Sequence, residues 1–172
     1  MSKLTQTLVL VVALLGWSAA LPQASDRDQP IHIQADNAIV DETTGTSVYR
    51  GTVNIRQGTL KIDADEVEII TANEEVVQII ASMDDDSPGL AHYEQLPEDS
   101  EDMVYADARN ITYLVQEEKI HLAGQASLRQ VQDLFEGELL HYDLKGGIVN
   151  LNSSNDPDDR IQMTINPRKK PE

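Results

Sequence analysis

The chain is short of cysteine, aromatic residues and basic residues, and each shortage excludes a class of protein. Its 172 residues include no cysteine, one tryptophan and one phenylalanine, so neither a disulfide scaffold nor a thiolate metal site can form. Lysine and arginine number 13 against 30 aspartates and glutamates, which leaves a formal net charge of −17. Such a chain repels nucleic acid and anionic lipid head groups at long range. An anionic partner would therefore be bound mainly through apolar contacts.

Long apolar runs are scarce as well, and the chief one lies near the N-terminus. Leu8–Ala20 is apolar apart from Ser18 and spans 13 residues, whereas a membrane-spanning helix needs about 20. Because Lys3 precedes this run and small residues end it, residues 1–20 are predicted to be a signal peptide, with cleavage as late as Ala24. A retained membrane anchor is the alternative that this stretch leaves open.

The most informative stretch, Tyr49–Ile70, alternates apolar and polar residues as a β-strand does. Apolar residues occupy every second position on both sides of a turn at Gln57-Gly58. Near Ala64–Glu66 the parity shifts by one residue, and the apolar row then continues. A β-bulge produces such a shift, because it keeps the apolar face inward while the strand bends. The stretch is therefore predicted to be a long hairpin with a corner.

The same pattern returns 73 residues later, where Gly51–Gln57 (GTVNIRQ) is echoed by Gly124–Gln130 (GQASLRQ). Upstream, Ala35-Asp36 and Ala106-Asp107 agree if two residues are inserted. A repeat of β-hairpins predicts successive layers of one elongated sheet structure. Downstream, the offset of 73 places three apolar residues opposite three others, namely Ile62, Val67 and Ile69 opposite Phe135, Leu140 and Tyr142.

The remaining segments also alternate with period two, and no stretch shows a helical period with caps. The fold class is predicted to be all-β, a layered antiparallel jelly roll or solenoid of eleven or more strands. One domain is expected over residues 29–166, followed by a short basic tail at 167–172. The other predicted strands and hairpins are Ile31–Ala35, Val76–Met83, Leu90–Gln95, Met103–Gln130 with a turn at Gln116–Lys119, Leu134–Leu144 with Gly147–Leu151, and Arg160–Asn166.

No catalytic or metal-binding constellation is found, so the chain is predicted not to be an enzyme and to need no cofactor. Its four histidines, at positions 32, 92, 121 and 141, are scattered over separate strands without a metal-ligand spacing. Asp63 and Asp65 could act as a glycosidase pair, but their parity points them to solvent. Asp84–Asp86 lacks the spaced ligands of a calcium loop. A secreted β-solenoid polysaccharide hydrolase or lyase stays an alternative that would require inward-facing carboxylates.

Three segments, QPIHIQAD, YRGTVNIRQGTLKIDADEVEI and GQASLRQVQ, resemble the LptA/OstA family of periplasmic proteins that carry lipopolysaccharide between the two membranes. The resemblance covers about Gln29–Asn166. It implies a half-open, slightly twisted β-jelly roll whose lumen shields lipid acyl chains, and stacking of copies end to end. It also implies an LptC-like partner anchored in the inner membrane and an LptD-like partner in the outer membrane. An LptC-like anchored component of the same pathway is the nearest alternative function.

The resemblance and the alternation together give a list of candidate site residues, although plain core packing is the alternative for each inward apolar residue. At His92 the family often has an aromatic residue, so that contact with the lumen is in doubt. The expected edges for oligomer or partner contact are Ile31, His32, Ile33, Ile161, Met163 and Ile165. The expected lipid-binding lumen consists of Ile31, Ile33, Val53, Ile55, Leu60, Ile62, Val67, Ile69, Tyr113, Leu122, Leu128 and Tyr142.

Overall fold

The computed structural model describes residues 25–98, 100–153 and 160–167. The predicted signal peptide, the loop at 154–159 and most of the predicted basic tail lie outside these ranges. The described residues form one short 3-10 turn, Asp26–Asp28, and twelve strands. The strands are β1 His32–Gln34, β2 Asn37–Asp41, β3 Thr46–Gln57, β4 Leu60–Ala72, β5 Glu75–Ser82, β6 Ala91–Gln95, β7 Val104–Ala108, β8 Asn110–Leu114, β9 Lys119–Gln130, β10 Asp133–Asp143, β11 Ile148–Asn152 and β12 Gln162–Thr164.

All twelve strands join one antiparallel sheet, and this sheet folds over on itself along its four long strands. Each long strand changes neighbours partway along: β3 pairs first with β2 and then with β1, while β9 pairs first with β8 and then with β7. Likewise, β4 pairs first with β6 and then with β5, and β10 pairs first with β12 and then with β11. The predicted all-β antiparallel fold is confirmed.

The change of neighbours divides the molecule into two layers that face each other. Layer I contains β2, β5, β8 and β11, with residues 46–50 of β3, 66–72 of β4, 119–123 of β9 and 139–143 of β10. Layer II contains β1, β6, β7 and β12, with residues 53–57 of β3, 60–64 of β4, 126–130 of β9 and 133–137 of β10. Tyr93 of layer II and Tyr113 of layer I meet edge to face with ring centroids 5.5 Å apart. The contact shows that the inner faces pack against one another.

The corners between the layers are β-bulges built in the same way in β3 and β9. Gly51 and Thr52 have φ angles of 82° and 48°, and Gly124 and Gln125 have 81° and 53°. Glycine is required at the first position, because a Cβ on Gly124 would lie 2.8 Å from the Cβ of Arg109. The opposing strands shift register at the same places, as the parity shift near Ala64–Glu66 predicted.

The repeat seen in the sequence is a repeat of strand pairing. Ile33 pairs with Ile55, and 73 residues on Ala106 pairs with Leu128. The offset holds through the first four strands of each half without the two-residue insertion that the sequence suggested, so that prediction was wrong. Asp36 therefore corresponds to Arg109, and each donates its backbone N–H to the carbonyl of the corner glycine.

Two further strands in each half correspond at an offset of 70 residues. Val67 pairs with Ala81, as Leu140 pairs with Leu151. The chain therefore consists of two six-strand units, unit 1 with β1–β6 and unit 2 with β7–β12. The units join where β5 pairs with β8 and β6 with β7, and we call this the internal junction.

Several predicted strands differ in extent from the observed ones, mostly by one residue at an end. The first arm of the predicted hairpin Met103–Gln130 is broken at Arg109, where the chain passes from layer II to layer I between β7 and β8. The predicted strand at Arg160–Asn166 is hydrogen-bonded only over Gln162–Thr164, because only these residues have a partner in β10. The strand predicted at Leu90–Gln95 begins one residue later, at Ala91.

Candidate functional site

The inner faces of the two layers form a continuous apolar interior. Ten of the twelve residues predicted to line a lumen are at most 5% exposed, and Ile31 and Ile33 are partly buried and pack against this set. The parity assignment made from the sequence is therefore right for these positions, while lipid contact at each of them stays a prediction. The ten are Val53, Ile55, Leu60, Ile62, Val67, Ile69, Tyr113, Leu122, Leu128 and Tyr142.

This interior is closed by its own side chains. Tyr93 is 0% exposed and reaches Tyr113 across the space between the layers. Burial raises the pKa of the Tyr93 hydroxyl well above its usual range, and the hydroxyl donates a hydrogen bond to Gln95 Oε1. An acyl chain can enter only if the layers move apart, because close-packed interiors leave little empty space.

The two long sides of the molecule differ, and only one can open. On the corner side, four continuous strands pass from layer to layer and close it covalently. On the opposite side, which we call the mouth, the layers end in turns. There Tyr142 Oη donates to Gln130 Oε1 at 3.0 Å, and a cleft of about 220 Å³ lies beside this bond. The mouth is the side through which a bound molecule could extend to solvent.

The outer face of layer II carries paired charges. Arg56 lies 2.8 Å from Asp63, Lys61 contacts Glu94, and His92 Nδ1 lies 2.8 Å from Asp107 Oδ1. The hydrogen bond with Asp107 raises the pKa of His92, while contact with Lys61 lowers the pKa of Glu94. The structure therefore does not supply the inward carboxylates that a hydrolase would need at Asp63.

The four histidines lie on four separate strands, as the sequence predicted, but two of them are neighbours in the sheet. His121 and His141 are direct cross-strand neighbours with ring centroids 4.4 Å apart. Burial, and then the neighbouring His141, lower the pKa of His121. Within residues 25–98, 100–153 and 160–167, no group of three or more histidine, aspartate or glutamate side chains could hold a metal ion.

The edge strands expose apolar side chains, although side chains of this kind are buried in the middle of the sheet. Val40 in β2 is 59% exposed, and Met163 in β12 is 51% exposed. Of the other predicted edge residues, Ile161, Ile165 and His32 are also exposed, whereas Ile31 and Ile33 are partly buried. In the described part of the chain, β1 and β2 pair only with β3, and β11 and β12 only with β10. Unpaired edges of this kind recruit further strands.

Comparison with known proteins assigns the family. Residues 32–148 match the family described as LptA/(LptD N-terminal domain) LPS transport protein. The chain belongs to the LptA family. It is 36% identical to the lipopolysaccharide export system protein LptH of Pseudomonas aeruginosa over 165 residues, 93% of this chain and 92% of LptH. It is 32% identical to LptA of Escherichia coli K12 over 146 residues, 84% of this chain and 76% of LptA.

The architecture agrees with a solved LptA-family structure. The crystal structure of LptH, the LptA-homologous periplasmic component of the lipopolysaccharide transport device of Pseudomonas aeruginosa, superposes on this chain with a TM-score of 0.72 at 34% identity. The match covers 84% of this chain and all of the LptH chain. The sequence-based expectation of a lipopolysaccharide transport protein with a jelly-roll fold, and not an enzyme, is confirmed. No helix among the described residues is long and apolar enough to cross a membrane.

The predicted lumen of this LptA-family protein omitted several fully buried residues, namely Ile79, Tyr93, Ile111, Ile120 and Leu140. The doubt at His92 arose because the inner residue of that strand was placed one position too early. The burial pattern of Ala91–Gln95 alternates, and Tyr93 is the inward aromatic while His92 faces outward. The alternation of alanine, tyrosine and glutamine with histidine and glutamate in AHYEQ was the signal that could have shown this.

Proposed function

We propose that this protein binds the acyl chains of lipopolysaccharide between its two layers and carries the lipid across the periplasm, from the inner to the outer membrane. The observation that carries the proposal is the continuous apolar interior behind a mouth, in a member of a lipopolysaccharide transport family. Saturated chains need dry apolar surface, and burial of each methylene contributes about 0.8 kcal/mol. The sugars and phosphates would remain in solvent outside the mouth, away from the apolar interior between the layers.

Copies of the chain would stack head to tail, and the internal junction supplies the geometry. Strands β11 and β12 of unit 2 correspond to β5 and β6 of unit 1, which are covered by β8 and β7. Strands β2 and β1 correspond to β8 and β7 through the offset of 73. The C-terminal edge of one copy can therefore receive the N-terminal edge of the next copy as unit 1 receives unit 2.

This correspondence gives the register that we propose for the junction between copies. Ile79 pairs with Tyr113 inside the chain, so Val149 should pair with Val40 of the next copy. Tyr93 pairs with Ala106, so Met163 should pair with Ile33 of the next copy.

The inward positions of this junction are all apolar. In layer I they are Val149 and Leu151 against Ala38 and Val40, and in layer II they are Ile161, Met163 and Ile165 against Ile31, Ile33 and Ala35. The junction would therefore continue the apolar interior from one copy to the next and cover the exposed edge residues.

The two edges would also select the membrane partners. An LptC-like protein anchored in the inner membrane would offer its C-terminal edge to β1 and β2, and an LptD-like outer-membrane protein would receive β11 and β12. The same backbone pairing serves both contacts, because strand addition depends on main-chain hydrogen bonds. The predicted signal peptide fits this placement, with the mature domain at about 29–166 in the periplasm.

Lipid binding is tested with a photoreactive amino acid placed at an inward or an outward position of one strand. The inward position is Ile55, which is 0% exposed, and the matched outward position is Arg56. Illumination with purified lipopolysaccharide should cross-link the lipid at position 55 and only weakly at position 56. Equal yields at both positions, or none at position 55, would reject binding between the layers.

The junction is tested with two single-cysteine proteins, since the chain has no cysteine of its own. Oxidation of Met163→Cys mixed with Ile33→Cys should give a disulfide-linked dimer, because directly paired residues have Cβ atoms about 4.5–5.5 Å apart. Gln34→Cys is the control, because it lies one position away on the opposite face. Equal dimer yield with Gln34→Cys would contradict the register.

A further inference from the structure

The segment Ser25–Gln29, which precedes the first strand, lies at the mouth. Asp26 is 9% exposed, and its carboxylate accepts hydrogen bonds from the Thr59 N–H and hydroxyl at 2.6 Å each. It also accepts one from Gln95 Nε2 at 3.0 Å. Thr59 lies in the turn between β3 and β4, and Gln95 ends β6, so Asp26 fastens the segment to layer II.

The next residue fastens the same segment to layer I. Arg27 Nη2 donates to the Val115 carbonyl and to Glu118 Oε1, both at 2.8 Å. Val115 and Glu118 belong to the turn between β8 and β9 in layer I. Five residues of chain therefore bridge the two layers on the side where the backbone does not close them.

The seat is shaped for this segment. A Cβ on Gly58 would collide with the Asp26 carboxylate, so the turn between β3 and β4 must carry glycine for Asp26 to fit. Gln57 Nε2 donates to the Gln29 carbonyl at 3.0 Å, and Ser25 Oγ donates to Glu98. Side chains from three separate turns or strand ends thus hold the segment, and a disordered leader would not be held in this way.

We propose that Ser25–Gln29 is a strap that holds the two layers together across the mouth and acts as a gate for lipid. This proposal rests on the proposed function, and it adds the step that controls access to the interior. Lipopolysaccharide that keeps its acyl chains between the layers has its sugars outside the mouth. Such a molecule cannot pass the strap while Asp26 and Arg27 are both bound, so the strap releases before the lipid moves through.

Release of the strap is expected to free the layers to separate, because the remaining contacts across the mouth are few. Among the described residues, these contacts include the hydrogen bond from Tyr142 to Gln130, the contact of Tyr93 with Tyr113 and a side-chain hydrogen bond between Gln95 and Tyr113. Loss of the Arg27 contacts should raise the open population about tenfold, the factor that corresponds to about 1.4 kcal/mol.

The first test measures the mouth directly and needs no lipid. Spin labels are attached at Glu101→Cys in the loop after β6 and at Glu117→Cys in the turn after β8, both exposed and on opposite layers. Pulsed electron resonance should give a longer and broader distance in Arg27→Ala than in the parent protein. Asp28→Ala is the matched control, because its side chain makes no hydrogen bond to the described residues. Unchanged distances in Arg27→Ala would overturn the strap.

The second test measures the uptake rate of fluorescent lipopolysaccharide by the processed, full-length protein. Asp26→Ala and Arg27→Ala should take up lipid about tenfold faster than the parent protein, and Asp28→Ala should match it. Arg27 is 39% exposed at its side chain, so Arg27→Ala decides the matter if Asp26→Ala does not fold. Equal or slower uptake in folded Arg27→Ala overturns the gate. If no variant takes up lipid, the proposed function fails while the distance measurement still decides whether the strap exists.

Discussion

Strands β2 and β8 occupy equivalent places in the two units, yet one is bare and the other is covered. Every residue of β2 is exposed, whereas β8 is exposed only at Asn110 and has Ile111 and Tyr113 buried. Val40 is 59% exposed and its equivalent Tyr113 is 3% exposed. The difference arises because β5 covers β8, while no described strand covers the same side of β2.

The other edge gives the same contrast. Met163 in β12 is 51% exposed, and its equivalent Tyr93 in β6 is 0% exposed. Equal pairing with unequal burial indicates that the exposed edge residues are core residues that lack a neighbour. A surface of this kind favours association with another strand pair over solvent exposure.

The largest expected effect comes from placing a charge at a buried, inward position of β8, the covered strand. Ile111→Asp should lower the free energy of unfolding by about 3–5 kcal/mol, because Ile111 is 1% exposed and an unpaired charge would be buried. Thr112→Asp is the outward control and should be mild. Urea unfolding followed by circular dichroism measures both, and similar losses for the two would refute the assignment of faces.

The next effect concerns the two corners, which should respond alike. Gly51→Ala and Gly124→Ala each add a Cβ at a position of positive φ, against Asp36 in the first case and Arg109 in the second. We expect each substitution to lower the free energy of unfolding by about 1–3 kcal/mol. Thermal and urea unfolding of both variants gives the comparison. A large loss at only one glycine would show that the corners are not equivalent despite their matching dihedral angles.

A charge at the bare edge should change assembly and leave the fold intact. Ala38 is the exposed equivalent of Ile111, so Ala38→Asp should alter the free energy of unfolding by less than about 0.5 kcal/mol. It should also abolish concentration-dependent association, because the charge would be buried in the junction between copies. Sedimentation velocity over a concentration series measures this. Undiminished association of Ala38→Asp would show that the copies meet elsewhere.

The smallest effect is a pH dependence that only the internal junction should show. His92 faces Asp107 there, whereas the equivalent positions at the edges are the neutral Gln162 and Gln34. The hydrogen bond with Asp107 raises the pKa of folded His92 above about 6.5, so its stabilisation is present below that pH and is lost as pH rises through the folded value.

The comparison protein for this titration is His92→Gln, which carries at position 92 the residue found at the equivalent edge position, Gln162. Its deficit in unfolding free energy relative to the parent should be greatest near pH 5.5 and should shrink toward pH 8. Association between copies should not follow the same curve. A deficit that grows with rising pH would mean that the neutral imidazole is the stabilising form.

Much of the fold could be predicted from the sequence because alternation reports burial directly. Val53 and Ile55 were assigned to the inner face, and the parity shift near Ala64–Glu66 located a corner that the structure places there. The echo of Gly51 at Gly124 predicted a repeat of the hairpin, and the structure places both glycines at corners, where only glycine tolerates the close approach at positive φ.

The parts that were missed depend on contacts between residues distant in sequence. Arg109 breaks a strand because the chain changes layers there, and its side chain bonds the carbonyls of Asp84, Ser87 and Gly89. Asp26 looks like one charge in a polar leader, and its seat depends on Thr59, 33 residues away. Period-two patterns carry no information about such partners.

The short outer strands have a consequence for any stack of copies under tension. Strands β1 and β12 contain three residues each, while β7 and β6, their equivalents at the internal junction, contain five each and are also joined by the chain itself. Hydrogen bonds in an antiparallel sheet run perpendicular to the strands, so in the proposed stack they run along its length. A pulled stack would part between copies before any copy tears, and the copies would behave as separable links whose number can follow the distance to be spanned.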